Sequence, residues 1–455
     1  MNKNRNYKAT NSNFIPFIPF SWKKYRVKNL VDQNLYYPIG DGDHGSIKPE
    51  MYLDYGIPYI RVQNLSWNGE LKLDNVVYIN EKVQNDNTKS ILRPGDILIA
   101  KTGATIGKLG YIPQNLLQAN TTSSVGKLTV DFKRFDPKYI LYCFQAEHFH
   151  DQIWISASQK SAQPGFNIDD FVNFEIASPK LELQLKIVSY LDSKTSKIDN
   201  IIECKKSLII ALNEKKQSII DEAITRGLEP NKSFKYSGIK DLNMIPVDWK
   251  ISYLKYFVSL KGRLGWKGLK ADEYVENSGY GFLSTPDIKN DKIDFTTINH
   301  ITKERYLESP EIMLKVNDVL LVKDGSTLGI TNIVKDLPFE TTVNSSIGVL
   351  RVFDESLLLP DYLLYYLRSS FMQNKINELK AGQGVPHLFQ KDIKNFTILI
   401  PPLNEQTLIV EKIQNYNEKI DLLNTLLEES IIKLQLYRQR IISEVVTGNT
   451  HINVC

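Results

Sequence analysis

The chain has 455 residues, 42% of them apolar, with 56 Lys and Arg against 52 Asp and Glu, a net charge of +4. That length suits two or three domains with ordinary globular cores, and so mild a charge makes clustering, rather than the total, the test for nucleic acid. Cys143, Cys204 and Cys455 are far apart and odd in number, which argues against a disulfide framework, and no apolar run approaches the ~20 residues of a membrane span, so a soluble cytoplasmic protein is expected.

Near the start, FIPFIPF is too short and too broken by proline for a signal peptide. From about residue 20 to 180, short apolar runs alternate with Gly, Pro and Asn turns. VVYI, DILIA, GKLTV and NFEIAS read as strands and YILYCFQ as a short helix, which describes a mixed α/β domain. Lys23, Lys24, Arg26 and Lys28 cluster at its start. IGDGDHGSIKPE then supplies Asp43, His44, Ser46 and Lys48, and PYIRVQNL supplies Arg61, Gln63 and Asn64. These side chains can read base edges in a DNA groove, or can be ordinary solvated loop residues.

RPGDILIAKTGATIGKLGYI, residues 93–112, approaches a phosphate-binding loop. It fails the spacing: a Walker A loop needs four residues before its Gly-Lys pair and then Ser or Thr, whereas Ala104, Thr105 and Ile106 make three and Leu109 follows Lys108. Gly103 and Gly107 read better as turn glycines of a β-hairpin. His148 and His150 are close together but have no cysteine or carboxylate cluster at metal-ligand spacing, and no GxSxG or HExxH occurs. The chain reads as non-catalytic and metal-free.

Leu181 to Thr225 contains no Gly or Pro and carries a seam at Leu191, Ile198, Ile201, Leu208, Leu212 and Ile219. That is an amphipathic helix with coiled-coil-like spacing, opened after Pro179 and stopped by Gly227. A polar, turn-rich linker follows.

The whole pattern then recurs. NDVLLVKDGSTLGI repeats GDILIAKTGATIGK, pairing Asp318 with Asp96, Lys323 with Lys101 and Thr327 with Thr105 at an offset of 222 (318 − 96). SSIGVL repeats SSVGKL, FTILIPPLNEQ repeats FEIASPKLELQ, and Pro246 and Trp249 repeat Pro19 and Trp22. A shared offset over more than a hundred residues indicates an internal duplication. The second copy replaces Lys108 with Ile330, so the phosphate-loop reading weakens further. Its first loop, SLKGRLGWKGLK, is basic, with Lys261, Arg263, Lys267 and Lys270 around Trp266, a composition suited to phosphate contacts. DYLLYYLRSSFMQNKI reads as short helix, and a second long helix from Leu403 to Thr447 has its seam at Ile413, Tyr416, Ile420, Leu423, Leu427, Leu434, Tyr437 and Ile441.

The expected organisation is a first globular domain at 1–180, a long helix at 181–226, a linker at 227–246, a second domain at 247–402, a second long helix at 403–448 and a tail at 449–455. The fold class is mixed α/β (α+β): two tandem globular domains separated by two long antiparallel helices, with pseudo-twofold duplication. A helix of about 45 residues spans roughly 65–70 Å. Burying the two seams against each other would place one domain at each end of a rod; alternatively, each helix packs on its own domain.

These features resemble the specificity subunit of type I restriction–modification systems. The resemblance rests on the tandem domains each followed by a long helix, on GDILIAKTGATIGK and its copy, on DGDHGS followed by GIPYIRVQNL, and on IPPLNEQTLIVEKI at the second helix start. It implies that each domain reads half of a bipartite DNA target, that the helices fix the spacer, and that two methyltransferase subunits and restriction subunits assemble on the chain. S-adenosylmethionine, ATP and Mg would belong to those partners. DNA contacts would come from the loop residues named above together with Lys101, Thr105, Lys323 and Thr327, which sit near DNA at most as backbone contacts. Gln184, Glu405 and Gln406 at the helix starts would face partners; Leu183 replaces Glu405 in the first copy. Two other readings stay open: a scaffold that binds proteins without reading DNA, and a nuclease or methyltransferase in its own right.

Overall fold

The computed structural model describes residues 6–158, 164–262, 269, 273–276, 279–379 and 387–450. The chain forms two units, one of residues 1–205 with 428–455, the other of residues 206–427. Both mix strands and helices, and each contains a globular part and segments of both long helices, Leu181–Arg226 and Leu403–Val446.

In the first unit, a four-stranded sheet runs in the order Ile39–Asp41, Val125–Leu128, Ile97–Ala100, Leu109–Tyr111, all antiparallel. In the second, the order Val258–Lys261, Ile347–Val352, Val319–Val322, Thr331–Ile333 has the same sense. Register repeats as well: Ile97 faces Leu128, and Val319 faces Leu350, each residue shifted by 222 (319 − 97, 350 − 128). The near-phosphate loop is thus the strand–turn–strand expected from sequence. Its turn glycines, Gly103, Gly107, Gly325 and Gly329, all have positive φ, a conformation that costs glycine little. A second sheet packs beside each, in the order Val77–Ile79, Ile57–Ile60, Ala119–Thr121, Ile91–Leu92 in the first unit and Asn299–His300, Tyr280–Leu283, Glu340–Val343 in the second.

Buried aspartates brace the repeated sheets, with different counterions. In the first unit Asp96 accepts from Thr129 Oγ1 at 2.5 Å and from the Arg93 amide at 2.8 Å, and the fully buried Lys127 donates to the Ile91 carbonyl at 2.7 Å. Burial raises the Asp96 pKa and pushes Lys127 down to about 8, each partly countered by the other's charge. In the second unit Val349 stands where Lys127 does and Arg351 where Thr129 does, so the cation has moved two residues along one strand, onto the same face. There Arg351 grips Asp318 directly.

The helical segments contribute to the cores. Ile187, Val188, Leu191, Ile441, Ile442, Val445 and Val446 join the main core of the first unit, and Ile219, Ile220, Ala223, Ile224, Ile409, Val410, Ile413 and Ile420 that of the second. In the second unit the segments run antiparallel: Lys216 pairs with Asp421 at 2.8 Å and Asn213 with Asn424 at 3.0 Å, three forward on one helix against three back on the other. In the first unit Asp199 meets Arg438 at 2.9 Å.

Two expectations need correction. Ile201, Leu208, Tyr416, Leu423 and Tyr437, read as seam residues, are 45–54% exposed. The buried stripe there runs through Leu191, Thr195, Ile198 and Ile202, keeping Leu191 and Ile198 of the expected seam and placing Ile202 inside where Ile201 was expected. The segment read as a linker also holds a β-hairpin, Phe234–Ile239 with Leu242–Pro246, anchored by the buried Leu242 and Ile245. Tyr7–Ala9 with Phe17–Pro19 forms its counterpart. Each hairpin leads to a buried tryptophan beside a helix-stopping glycine: Trp22 beside Gly448, and Trp249 beside Gly227.

Candidate nucleic-acid interface

In the first unit the loop after Ile39–Asp41 turns sharply at His44 (φ 51°) and Gly45 (φ 85°). The Asp43 carboxylate accepts from the Ile47 amide at 2.6 Å and from Tyr59 Oη at 2.7 Å. Burial, and then the Asp43 carboxylate, raise the Tyr59 pKa, so the phenol stays a donor. Ser46 Oγ donates to the Asp43 carbonyl at 2.7 Å and contacts Asn87. Asp43 and Ser46 therefore hold the loop's shape, while the His44 and Lys48 side chains face outward.

Asn64 is buried. Its side chain caps a short turn by accepting from the Arg61 amide at 2.9 Å, and it donates to the Lys72 carbonyl at 2.8 Å. Gln63 is exposed at the crest of that turn, and the Arg61 guanidinium lies 5.4 Å from the Tyr52 ring centre. Sequence reasoning missed the second copy of this turn. Ser284–Asp287 repeats the cap, with the Ser284 amide donating to Asp287 Oδ2 at 2.7 Å, and Gly279 matches Gly56 at an offset of 223 (279 − 56). That offset was the available signal. The frame Arg61/Asn64 becomes Ser284/Asp287, while the exposed Gln63 becomes the exposed Pro286.

Lys101 and Lys323 are each 6% exposed, so neither projects from the surface. Lys101 is paired with Asp41, which also takes His44 Nε2 at 2.9 Å. Thr105 and Thr327 are half-buried, and their carbonyls accept turn hydrogen bonds of 3.1 Å from Lys108 and Ile330. Lys261 is exposed at the start of the basic loop, whereas Arg263, Trp266, Lys267 and Lys270 lie outside the described residues.

The helix-start residues turn inward. Gln184 accepts from the Asp136 amide at 2.8 Å and donates to the Arg134 and Pro179 carbonyls at 3.0 Å. Gln406 repeats this with the Leu359 amide at 2.9 Å, the Leu357 carbonyl at 2.9 Å and the Pro401 carbonyl at 3.0 Å. Both glutamines are fully buried. Glu405 accepts from Trp249 Nε1 at 2.9 Å and Lys232 Nζ at 2.6 Å. Burial favours neutral Lys232, but the Glu405 and Asp248 carboxylates override it and raise its pKa. Gln184 and Gln406 are thus committed to internal contacts, as buried polar groups generally are, and so is Glu405 through Oε2, while its buried Oε1 has no hydrogen-bond partner among the described residues.

Among the described residues, no cluster of three or more His, Cys, Asp or Glu could hold a metal ion, and no helix is long and apolar enough to cross a membrane. The arrangement is a pair of similar frameworks that present dissimilar loops.

Comparison with known proteins gives these frameworks a context. The family model described as "Type I restriction modification DNA specificity domain" matches residues 45–214 and 246–430. The MjaVIII type I restriction enzyme specificity subunit of Methanocaldococcus jannaschii is 24% identical over 373 residues, 81% of this chain and 82% of that protein. A solved chain titled as belonging to a study of "complex assembly and conformational transition of the type I R-M system" matches with a TM-score of 0.72 at 17% identity, over 95% of this chain and 99% of that one. The HsdS subunit from Thermoanaerobacter tengcongensis matches with a TM-score of 0.51 at 16% identity, over 95% and 98%.

Proposed function

From the premise that this chain belongs to the type I restriction modification DNA specificity family, we propose that it is the sequence-recognition subunit of a restriction–modification complex. In this reading each unit reads one half of a bipartite duplex target. The supporting observation is the contrast between copies. The central strands of the first sheet repeat in register between copies, while the exposed loop positions differ, Gln63 against Pro286 and the loop at His44 and Lys48 against the basic loop that starts at Lys261. A duplicated frame with diverged edges is what two different half-sites require, since base contacts specify and the frame only positions them.

The long helices fix the spacer between half-sites. Their roughly 65–70 Å at 1.5 Å per residue is about two turns of B-DNA. Two methyltransferase subunits dock on the helices and the adjoining framework, and restriction subunits join that core. S-adenosylmethionine, ATP and Mg2+ belong to those partners, and this chain supplies recognition without catalysis. The buried state of Gln184, Glu405 and Gln406 moves their part from direct partner contact to shaping the helix starts on which partners sit.

Binding of the chain with its methyltransferase partner to a pool of random duplexes, followed by sequencing of the retained DNA, tests this. Enrichment of a split sequence is expected. Retention with no sequence preference would instead favour the scaffold reading.

A further inference from the structure

The duplication exposes one chemical difference at the root of the first recognition loop. In the first unit the buried Lys101 is matched by the Asp41 carboxylate. Asp41 lies opposite Gly126 on the neighbouring strand. In the second unit Lys261 lies opposite Val349, so the next residue along, Gly262, takes the place of Asp41 opposite Gly348. The carboxylate is gone, yet Lys323 remains, buried to the same 6% exposure.

Nothing described replaces it. Lys323 Nζ has no hydrogen bond or ion pair among the described residues. Burial lowers its pKa, and Asp324 opposes this only at a distance, its own carboxylate being engaged by the His387 ring. A Cβ placed on Gly262 would lie 3.4 Å from Lys323 Nζ and 2.9 Å from Gln390 Nε2. The Lys323 ammonium and the Gln390 side-chain amide, both donors, therefore converge on the point from which the Asp41 side chain projects in the other copy, and the flexible end of Gln390 shifts to admit a ligand there.

We propose that Lys323, with Gln390 beside it, holds a backbone phosphate of DNA bound by the second unit, the phosphate standing in for the Asp41 carboxylate of the first. The proposal rests on the DNA-recognition reading above. An oxyanion is the chemistry that a lysine in this frame already accepts, since Lys101 pairs with one. The position also directly follows the exposed Lys261, a cation that draws a polyanion to this end of the strand. An ammonium largely stripped of water has little hydration left to lose, so a charge-assisted hydrogen bond to it is stronger than one to an exposed lysine. Lys101 already has its oxyanion in Asp41, so the two units would hold DNA by different backbone contacts.

The test uses the full chain with its methyltransferase partner, a duplex carrying the mapped target and a random-sequence duplex of equal length, each titrated across salt concentrations. Lys323→Met keeps the stem and removes the charge. Binding to both duplexes should weaken about tenfold, and the log–log salt slope should become shallower by about one. Lys323→Arg should restore the slope, and Gly262→Asp, which returns a carboxylate to the site, should reproduce the loss even if Lys323→Met folds poorly. Unchanged affinity and slope in Lys323→Met and Gly262→Asp would overturn the proposal. A loss confined to the target duplex would also overturn it, assigning the lysine to a base. Wild-type binding without sequence preference would overturn the recognition reading alone, because the slope still reports the phosphate contact.

Discussion

Arg351 meets Asp318 through two hydrogen bonds, Nε to Oδ1 at 2.7 Å and Nη2 to Oδ2 at 2.6 Å, and the Asp318 side chain is almost wholly buried. Such a fork cannot be copied by a single ammonium, and removing it strands a carboxylate in the core. Arg351→Ala should lower stability by about 3–5 kcal/mol, and Arg351→Lys should recover only part of that. Denaturant unfolding measures it; a loss under about 1 kcal/mol would show that the pair is screened like a surface bridge.

Gln406 ties the start of the second long helix to the Leu359 amide and the Leu357 and Pro401 carbonyls. Gln406→Leu leaves those buried groups unpaired, at a cost of about 2–4 kcal/mol. Hydrogen exchange at the Leu359 amide should accelerate well before global unfolding, and Gln184→Leu should do the same at Asp136. Unaltered exchange at both amides would show that the glutamines are not what holds these loops.

His148 gives the first unit a dependence on acid. Both ring nitrogens are buried and make no hydrogen bond, and burial, aided by the charge of His150, lowers its pKa to about 4 from an ordinary 6.5. Because the folded pKa lies below the unfolded one, the unfolded chain binds the proton more readily. Stability is therefore full above pH 6.5 and falls as pH drops toward 4. Between pH 7.5 and 5 this site should remove about 2 kcal/mol. His148→Phe should abolish that part of the slope in denaturant titrations at the two pH values; an identical slope in the variant would assign the acid sensitivity elsewhere.

The duplication was legible because Asp96 and Asp318, the turn glycines and the strand runs keep one offset through strands whose pairing cannot slip without inverting their buried faces. The hairpin at Phe234–Pro246 was not legible: only Leu242, Ile245 and Pro246 among its residues are buried, and its polar remainder has the composition of a linker. The direction in which polar side chains point was equally hidden. Asp43, Ser46, Asn64 and Gln406 are residue types that suit a DNA or partner contact, yet each is engaged by the chain's own backbone, the first three within or near their own loop and Gln406 with the segment at residues 357–359. Composition reports the capacity for a hydrogen bond and not its partner. The contrast between Asp41 and Gly262 emerged only when strand register aligned two loops whose sequences share little.

The most direct measurement is a map of methylated sites in cells carrying the complex, made with the wild-type chain and with a variant whose residues 43–48 are replaced. The wild type should yield one sequence split into two specified halves. The loop variant should change one half only and leave the other half and the spacer intact. Sites without a common sequence, or a loop replacement that alters both halves together, would contradict a chain in which two similar frames each read their own half of the target.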